Sequence, residues 1–112
     1  VTLFKNYLEQ YFLEQRTPAF YAEQLSLSSN VFTKKCKKSF GKSPTQLIQE
    51  RVILEAKKQL HLTHKNVKEL AADMNFDDEH YFSRYFKKYT GVSPSLFREK
   101  VGISIVADLS II

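Results

Sequence analysis

Hydrogen-bonding and cationic side chains follow one another in one short segment of this sequence. Residues 34–42, "KKCKKSFGK", contain five lysines and no acidic residue, and Asn30 and Thr33 precede them. Amide and hydroxyl groups can bond base edges, while lysine ammonium groups bind phosphates. On the solvent-exposed face of one helix, polar side chains followed by lysines favour a helix that binds DNA and contacts its bases. A solvated basic helix face is the alternative.

A second segment has the same character in a less uniform form. Its outward residues would be Glu79, His80, Ser83, Arg84 and Lys87. Arginine can bond guanine bidentately, and glutamate can accept a hydrogen bond from cytosine N4. The acids from residue 77 to residue 79 suit a helix N-terminus, where the helix dipole favours negative charge. They also repel phosphates, so we expect this end to face bases or no DNA at all.

The helices that must position these residues belong to a sequence repeat. The segments "KKSFGKSP", residues 37–44, and "KKYTGVSP", residues 87–94, lie 50 residues apart. In each, Gly ends one helix, Ser caps the next helix and Pro occupies its first position. Upstream of the turns the offset is 49, so the second turn contains one extra residue. The repeat predicts two helix-turn-helix units.

Apolar spacing predicts an all-α fold of seven helices. The predicted helices are 3–14, 18 to about 25, 29–40, 44–60, a short one over 67–74, one ending at Gly91 and a last one from 94 to about 100. The domains would be a first helix-turn-helix subdomain at 1–43, a linker helix at 44–61, a second subdomain at 62–100 and a tail at 101–112. A helix over 44–60 would be a rod of roughly 25 Å.

The second half of the chain carries a dense set of motif residues. They are Arg51, Ala56, Leu60, Val67, Leu70, Ala71, Phe76, Asp78, Tyr81, Phe82, Arg84, Phe86, Lys87, Lys88, Thr90, Gly91, Ser93, Pro94, Phe97 and Arg98. This set resembles the DNA-binding domain signature of AraC/XylS-type transcription regulators, and residues 21–44 are similar to the family's more variable first module. The chain departs from the pattern at Cys36, where many members have Phe, and at Asn75, where Gly is usual. The residues after Lys100 lie outside the pattern.

The resemblance implies two helix-turn-helix motifs, bridged by a long helix, that read adjacent major grooves of promoter DNA. It implies base-contacting positions at Asn30, Thr33 and Lys34 in the first recognition helix, and at Glu79, His80, Tyr81 and Arg84 in the second. For phosphate contacts we expect Ser29, Lys37, Lys38, Lys42, Lys87 and Lys88. The rival hypothesis is a basic helical protein-interaction module without sequence-specific DNA binding.

Composition excludes several other classes of protein. The net charge of +5 and pI near 9.3 suit an anionic partner. The single cysteine excludes an internal disulfide and agrees with a cytoplasmic location. No apolar run reaches 18 residues, so no membrane partner is expected. The sequence lacks nucleophile–base pairs, Gly-rich phosphate loops and zinc-ligand spacing. It therefore predicts no enzyme, no cofactor and no metal.

Three further expectations concern partners and individual segments. Because the chain begins with Val, we expect either a short family member or a protein with a sensor or dimerisation domain upstream. RNA polymerase is expected as a second partner. Cys36, aligned with Phe86 on the apolar stripe, is predicted to be a buried small hydrophobe rather than a redox sensor. The apolar tail could form a strand, cover a hydrophobic patch or be a non-native addition.

Overall fold

The computed structural model describes residues 2–101, and this part of the chain contains seven helices and no strand. The helices are α1 (Thr2–Tyr11), α2 (Pro18–Gln24), α3 (Ser29–Phe40), α4 (Pro44–Leu62), α5 (Val67–Asp73), α6 (Glu79–Thr90) and α7 (residues 94–101). The predicted all-α fold is confirmed. The first helix ends at Tyr11, earlier than predicted, and the backbone N–H groups of Glu14 and Gln15 beyond it both donate to the Tyr11 carbonyl.

Contacts group the chain into two compact units. The first unit is Val1–Val52 and the second is Ile53–Ile112, so the boundary falls inside α4. The separate assignment of residues 44–61 as a linker domain stays a prediction. The expected tail, apart from residue 101, lies outside the described residues.

The core of the first unit is built on a group of aromatic rings. The Phe4 ring of α1 packs edge-on against Tyr21 of α2, with centroids 5.6 Å apart, and against Phe32 of α3 at 5.0 Å. Further side chains of this unit are buried: Leu8, Phe12, Ala22, Cys36, Leu47, Ile48 and Val52. The packing fixes α3 by its apolar stripe and leaves the other side of α3 to solvent.

The core of the second unit repeats this plan. Phe76 and Phe82 lie 5.1 Å apart between ring centroids, and Phe86 packs against Phe97 of α7 at 5.5 Å. The other apolar side chains buried in this unit are Ile53, Ala56, Leu60, Leu70, Ala71 and Met74. Both α3 and α6 are therefore docked through aromatic or sulfur-containing residues four positions apart.

The helix ends follow the signals that the sequence carries. Gly41 and Gly91 adopt left-handed φ values of 71° and 84°, and their N–H groups donate to the carbonyls of Lys37 and Lys87. A residue with a Cβ is disfavoured there, so glycine ends both helices. The Oγ atoms of Ser43 and Ser93 then accept from backbone N–H groups three residues on, which confirms their predicted capping of α4 and α7.

The two turns before α3 and α6 share one backbone geometry. Ser26 and Asn75, 49 residues apart, both have positive φ, at 56° and 60°. The next N–H, of Leu27 or Phe76, donates to a carbonyl five residues earlier at 2.9 Å in each copy. The capping residues that follow, Ser28 and Asp78, lie 50 apart. The extra residue of the second copy is therefore Asp77, which follows the shared turn and precedes the cap.

Candidate nucleic-acid interface

The first candidate surface is the solvent face of α3. Phe32 and Cys36 are each 2% exposed and hold the helix against its unit. Asn30 and Lys34, predicted to contact bases, lie on the exposed face. The residues predicted to contact phosphates in this unit are exposed as well: Ser29, Lys37, Lys38 and Lys42. The surface begins with neutral polar groups and continues with cations.

Thr33 differs from the rest of the predicted base-contacting set. It is half-buried, and its hydroxyl donates a 2.9 Å hydrogen bond to the Ser29 carbonyl one turn earlier. Because that bond uses the only hydroxyl proton, the oxygen has acceptor capacity left but no donor. In this conformation Thr33 can accept from a base amino group or place its methyl group against thymine.

Lys42 is held by a carboxylate in this structure. Its ammonium lies 2.6 Å from Glu50 Oε1 on α4, and both side chains are about half exposed. A surface pair of this kind contributes little stability and can exchange for another anion. Lys42 thus lies on the predicted phosphate side with a competing partner eight residues away.

Sequence reasoning missed three side chains near α3. Val31 is 42% exposed and aligns with Tyr81 at an offset of 50, a match that could have revealed it. Lys35 is exposed on the same helix and belongs to the lysine run quoted above. Lys5 of α1 places its ammonium 4.6 Å from the Phe40 ring centroid, and no local pattern could have predicted this contact.

The second candidate surface is the solvent face of α6. Phe82 and Phe86 are fully buried, whereas His80 and Arg84 are exposed. The predicted phosphate-contacting lysines of this unit, Lys87 and Lys88, are also exposed, and the Lys88 ammonium lies 5.5 Å from the Tyr89 ring centroid. Glu79 is half-buried. The structure brings these predicted residues onto one helix and leaves their contacts with DNA as predictions.

An aromatic row runs along one flank of α6. Tyr81, Tyr85 and Tyr89 recur every fourth residue, and their rings pack edge to face, at 6.5 Å and 5.0 Å between successive centroids. Phe76, in the turn before α6, contacts Tyr81 at 5.4 Å. Tyr81 is 39% exposed, so its outer edge is open at the start of the helix, as the sequence predicts.

The two helix starts differ in charge although their caps work in the same way. The Ser28 hydroxyl accepts from Val31 N at 3.2 Å, and the Asp78 carboxylate accepts from Tyr81 N at 2.7 Å. Asp78 is therefore the residue that caps α6. The start of α3 is neutral and that of α6 is anionic.

Cys36 lies beneath the lysine run. Burial raises the pKa of its thiol, against the opposing influence of the Lys5 ammonium, so the neutral thiol is favoured. The prediction of a buried small hydrophobe is confirmed. A cavity of about 20 Å³, lined by Phe4, Leu25, Leu27, Phe32, Lys35 and Cys36, lies beside it. That volume is near the minimum for one water molecule.

Metal sites and membrane-spanning helices are both absent from the described residues. Between residues 2 and 101 no three side chains among His, Cys, Asp and Glu come together in a group that could hold a metal ion. None of the helices in that range has both the length and the apolar character that crossing a bilayer requires.

Comparison with known proteins identifies the family. A family model described as a helix-turn-helix domain matches residues 21–100. The arabinose operon regulatory protein of Escherichia coli is 35% identical over 80 residues, which cover 71% of this chain. This chain belongs to the AraC/XylS-type family. The C-terminal domain of the two-component response regulator YesN from Fusobacterium nucleatum is similar to this AraC/XylS-type domain, with 31% identity, a TM-score of 0.79 and coverage of 87% of this chain and 95% of that one.

Other relatives of the AraC/XylS-type domain are longer than this chain. The raffinose operon transcriptional regulatory protein RafR of Pediococcus pentosaceus is 29% identical over 88% of this chain and 35% of its own length. The match to the E. coli arabinose regulator covers 27% of that protein. The chain thus spans about a third of the length of these curated relatives. The DNA-binding domain of AdpA, solved with a target DNA, shares the fold at 20% identity and a TM-score of 0.77, over 88% of this chain and 89% of that one.

Proposed function

We propose that this domain is a sequence-specific, DNA-binding transcription regulator that reads two adjacent major grooves of promoter DNA with α3 and α6. The observation that carries the proposal is the repetition of one surface design. Each helix is docked by a buried apolar stripe and presents cations at matched positions, namely Lys34 and Arg84, Lys37 and Lys87, and Lys38 and Lys88.

Base edges and phosphates would be contacted by different parts of each helix. Residues near the helix start enter the major groove first, so base reading would fall to Asn30, Thr33 and Lys34 on α3, and to Glu79, His80, Tyr81 and Arg84 on α6. Asparagine suits adenine and arginine suits guanine, each through two hydrogen bonds. The lysines further along α3 and α6 would bind phosphates and supply most of the sequence-independent affinity.

The length of α4 is comparable with the separation of adjacent major grooves. Its 19 residues form a rod of roughly 28 Å at 1.5 Å per residue. Recognition helices in adjacent major grooves are expected about 34 Å apart, one turn of B-DNA. The reach of the flanking helices and bending of the DNA would close the difference.

The rest of the proposal concerns the whole protein. The longer relatives support an upstream sensor or dimerisation domain, and their names as operon regulators support a non-enzymatic role with RNA polymerase as a second partner. DNA as the ligand supports action in the cytoplasm.

Selection of bound sites from a random oligonucleotide pool tests the central claim. We expect two enriched boxes about one helical turn apart. Enrichment of a single box would show that one unit only supports the other. Salt titration of the selected duplex against competitor DNA completes the test. A protein-interaction module with a basic surface would bind the selected and random duplexes equally at every salt concentration.

A further inference from the structure

The duplication allows α3 and α6 to be compared position by position. Three cation positions are common to both helices, but the first unit has two further lysines at positions where the second has none. Lys35 corresponds to Tyr85, and Lys42 corresponds to Val92. Lys35 and Lys42 are both exposed, and the Lys42 ammonium is paired with Glu50. Lys35 is therefore the clearer addition of positive charge in the first unit.

The acidic residues are distributed in the opposite way. No acid occurs between Glu23 and Glu50, so the lysines of α3 have no acidic neighbour in the sequence. In the second unit the three cations of α6 are matched in number by the three acids from residue 77 to residue 79. At the corresponding cap and first helical positions the first unit has Ser28 and Ser29, and it has no counterpart of Asp77.

Capping fixes the acidic start of α6 in place. The Asp78 carboxylate is held by its 2.7 Å bond from Tyr81 N, and Asp77 is exposed immediately before it. The helix dipole accommodates negative charge at this end. A phosphate brought to the same end is still repelled, whereas a base amino group finds acceptors there. The start of α6 thus disfavours DNA that offers it only a backbone.

Building on the proposed function, we infer that the two units divide the work on DNA. The first unit supplies most of the electrostatic affinity for a duplex of any sequence. The second unit adds binding only where its base contacts offset the repulsion between residues 77–79 and the phosphates. Affinity for random DNA then depends mainly on α3, and α6 adds affinity mainly on duplexes that contain its own box.

Matched pairs of lysines give a direct test on a random-sequence duplex of fixed length. Lys37→Gln with Lys38→Gln is expected to lower affinity about tenfold near 0.1 M salt, and to reduce the slope of log K against log salt by about 2. The equivalent change on α6, Lys87→Gln with Lys88→Gln, is expected to lower affinity less than about threefold, with a slope change below about 1. Equal losses from the two pairs would overturn the inference.

Removal of one acid tests the other half of the inference. Asp77→Asn spares the cap, and it should tighten binding to the random duplex by about threefold while tightening the selected site less. Glu99→Gln, the same charge change at an exposed position of α7, serves as the control. If both variants raise random-duplex affinity equally, or if Asp77→Asn leaves the ratio of specific to random affinity unchanged, the acidic start has no discriminating role.

Failure of this inference can be told apart from failure of the proposed function. If the unmodified protein binds selected and random duplexes equally, sequence-specific binding itself is wrong. If it separates them but the matched lysine pairs behave alike, only the division of work is wrong. All substituted side chains are exposed, and thermal unfolding of each variant checks that the fold is intact.

Discussion

Tyr21 joins α2 to the segment that follows α1. Its ring is fully buried against Phe4 and Phe20, and its hydroxyl donates a 2.7 Å hydrogen bond to the Gln15 carbonyl. Burial raises the pKa of Tyr21 from 10.0 to about 12, because the phenolate would be charged in an apolar surrounding. The first unit therefore contains a group whose ionisation opposes folding.

The first prediction concerns the stability of the first unit at high pH. The folded pKa of Tyr21 lies above the unfolded one, so the stability gained from the neutral phenol is complete below pH 10 and is lost as pH rises toward 12. The loss should be on the order of 2 kcal/mol. Urea unfolding between pH 8 and 12 should show a steeper decline for the unmodified protein than for Tyr21→Phe. Tyr89→Phe, which changes an exposed tyrosine, is the control. If the stability of Tyr21→Phe declined in parallel with that of the unmodified protein, the prediction would be wrong.

The second prediction concerns base reading. Lys34→Ala and Arg84→Ala should each relax discrimination in one half of the selected site, at a cost of about 1–3 kcal/mol. Binding should be measured to the selected duplex, to duplexes with base changes in either box, and to random duplex. Equal losses of affinity for the selected and random duplexes would show that the substituted residue contacts phosphates rather than bases.

For individual residues, the types and spacing of side chains predicted which of them face solvent. The structure added the local partners of these side chains. The apolar stripe at Phe32, Cys36 and Phe82 is visible in the sequence because it follows helical spacing. The bond from Thr33 to Ser29 and the pair between Lys42 and Glu50 depend on rotamers, which the sequence does not specify. The DNA contacts of the base-reading set stay predictions.

The helix ends marked by glycine, Ser-Pro or a capping residue are the best predicted features, because each depends on local chemistry. Glycine at a left-handed position, Ser-Pro at a helix start and the caps at Ser28 and Asp78 act within four residues of the ends they set. Contacts between distant segments could not be predicted in this way. Arg98 of α7 donates from Nε to the Leu60 carbonyl at 2.9 Å and covers the C-terminal end of α4 from 38 residues away.

The third prediction uses the two turns as a matched pair. Ser26 and Asn75 share a positive φ, but asparagine tolerates that region better than serine does. Ser26→Gly should therefore raise the free energy of unfolding of the first unit by roughly 0.5–1 kcal/mol, and Asn75→Gly should change that of the second by less. Urea titrations of both variants would check this. A larger gain at Asn75 would show that φ preference does not govern these turns.

At the scale of the whole molecule, α4 contributes buried side chains to both units. Leu47, Ile48 and Val52 are buried in the first unit, and Ile53, Ala56 and Leu60 are buried in the second. Helical periodicity predicted one continuous helix here. It could not predict that the boundary would fall between Val52 and Ile53, because that depends on which neighbours each turn of α4 meets.

The fourth prediction tests α4 as a spacer. Seven helix-favouring residues inserted between Val52 and Ile53 would add about 10.5 Å while nearly preserving the rotational phase of the helix. Affinity for the selected two-box site should fall to that for a single box, with random-duplex affinity unchanged. Circular dichroism and thermal unfolding check that both units still fold. Unchanged affinity for the two-box site would show that α4 does not set the spacing.

The shared α4 limits how this protein could be dissected or recombined. A fragment that ends at Gly41 would lack Leu47, Ile48 and Val52, which are buried in the first unit. A fragment that starts after Leu62 would lack Ile53, Ala56 and Leu60, which are buried in the second. An isolated unit that folds must therefore keep its own half of α4. A chimaera that exchanges one unit for a homologous one is best joined at the Val52–Ile53 peptide bond, where both hydrophobic interiors remain whole.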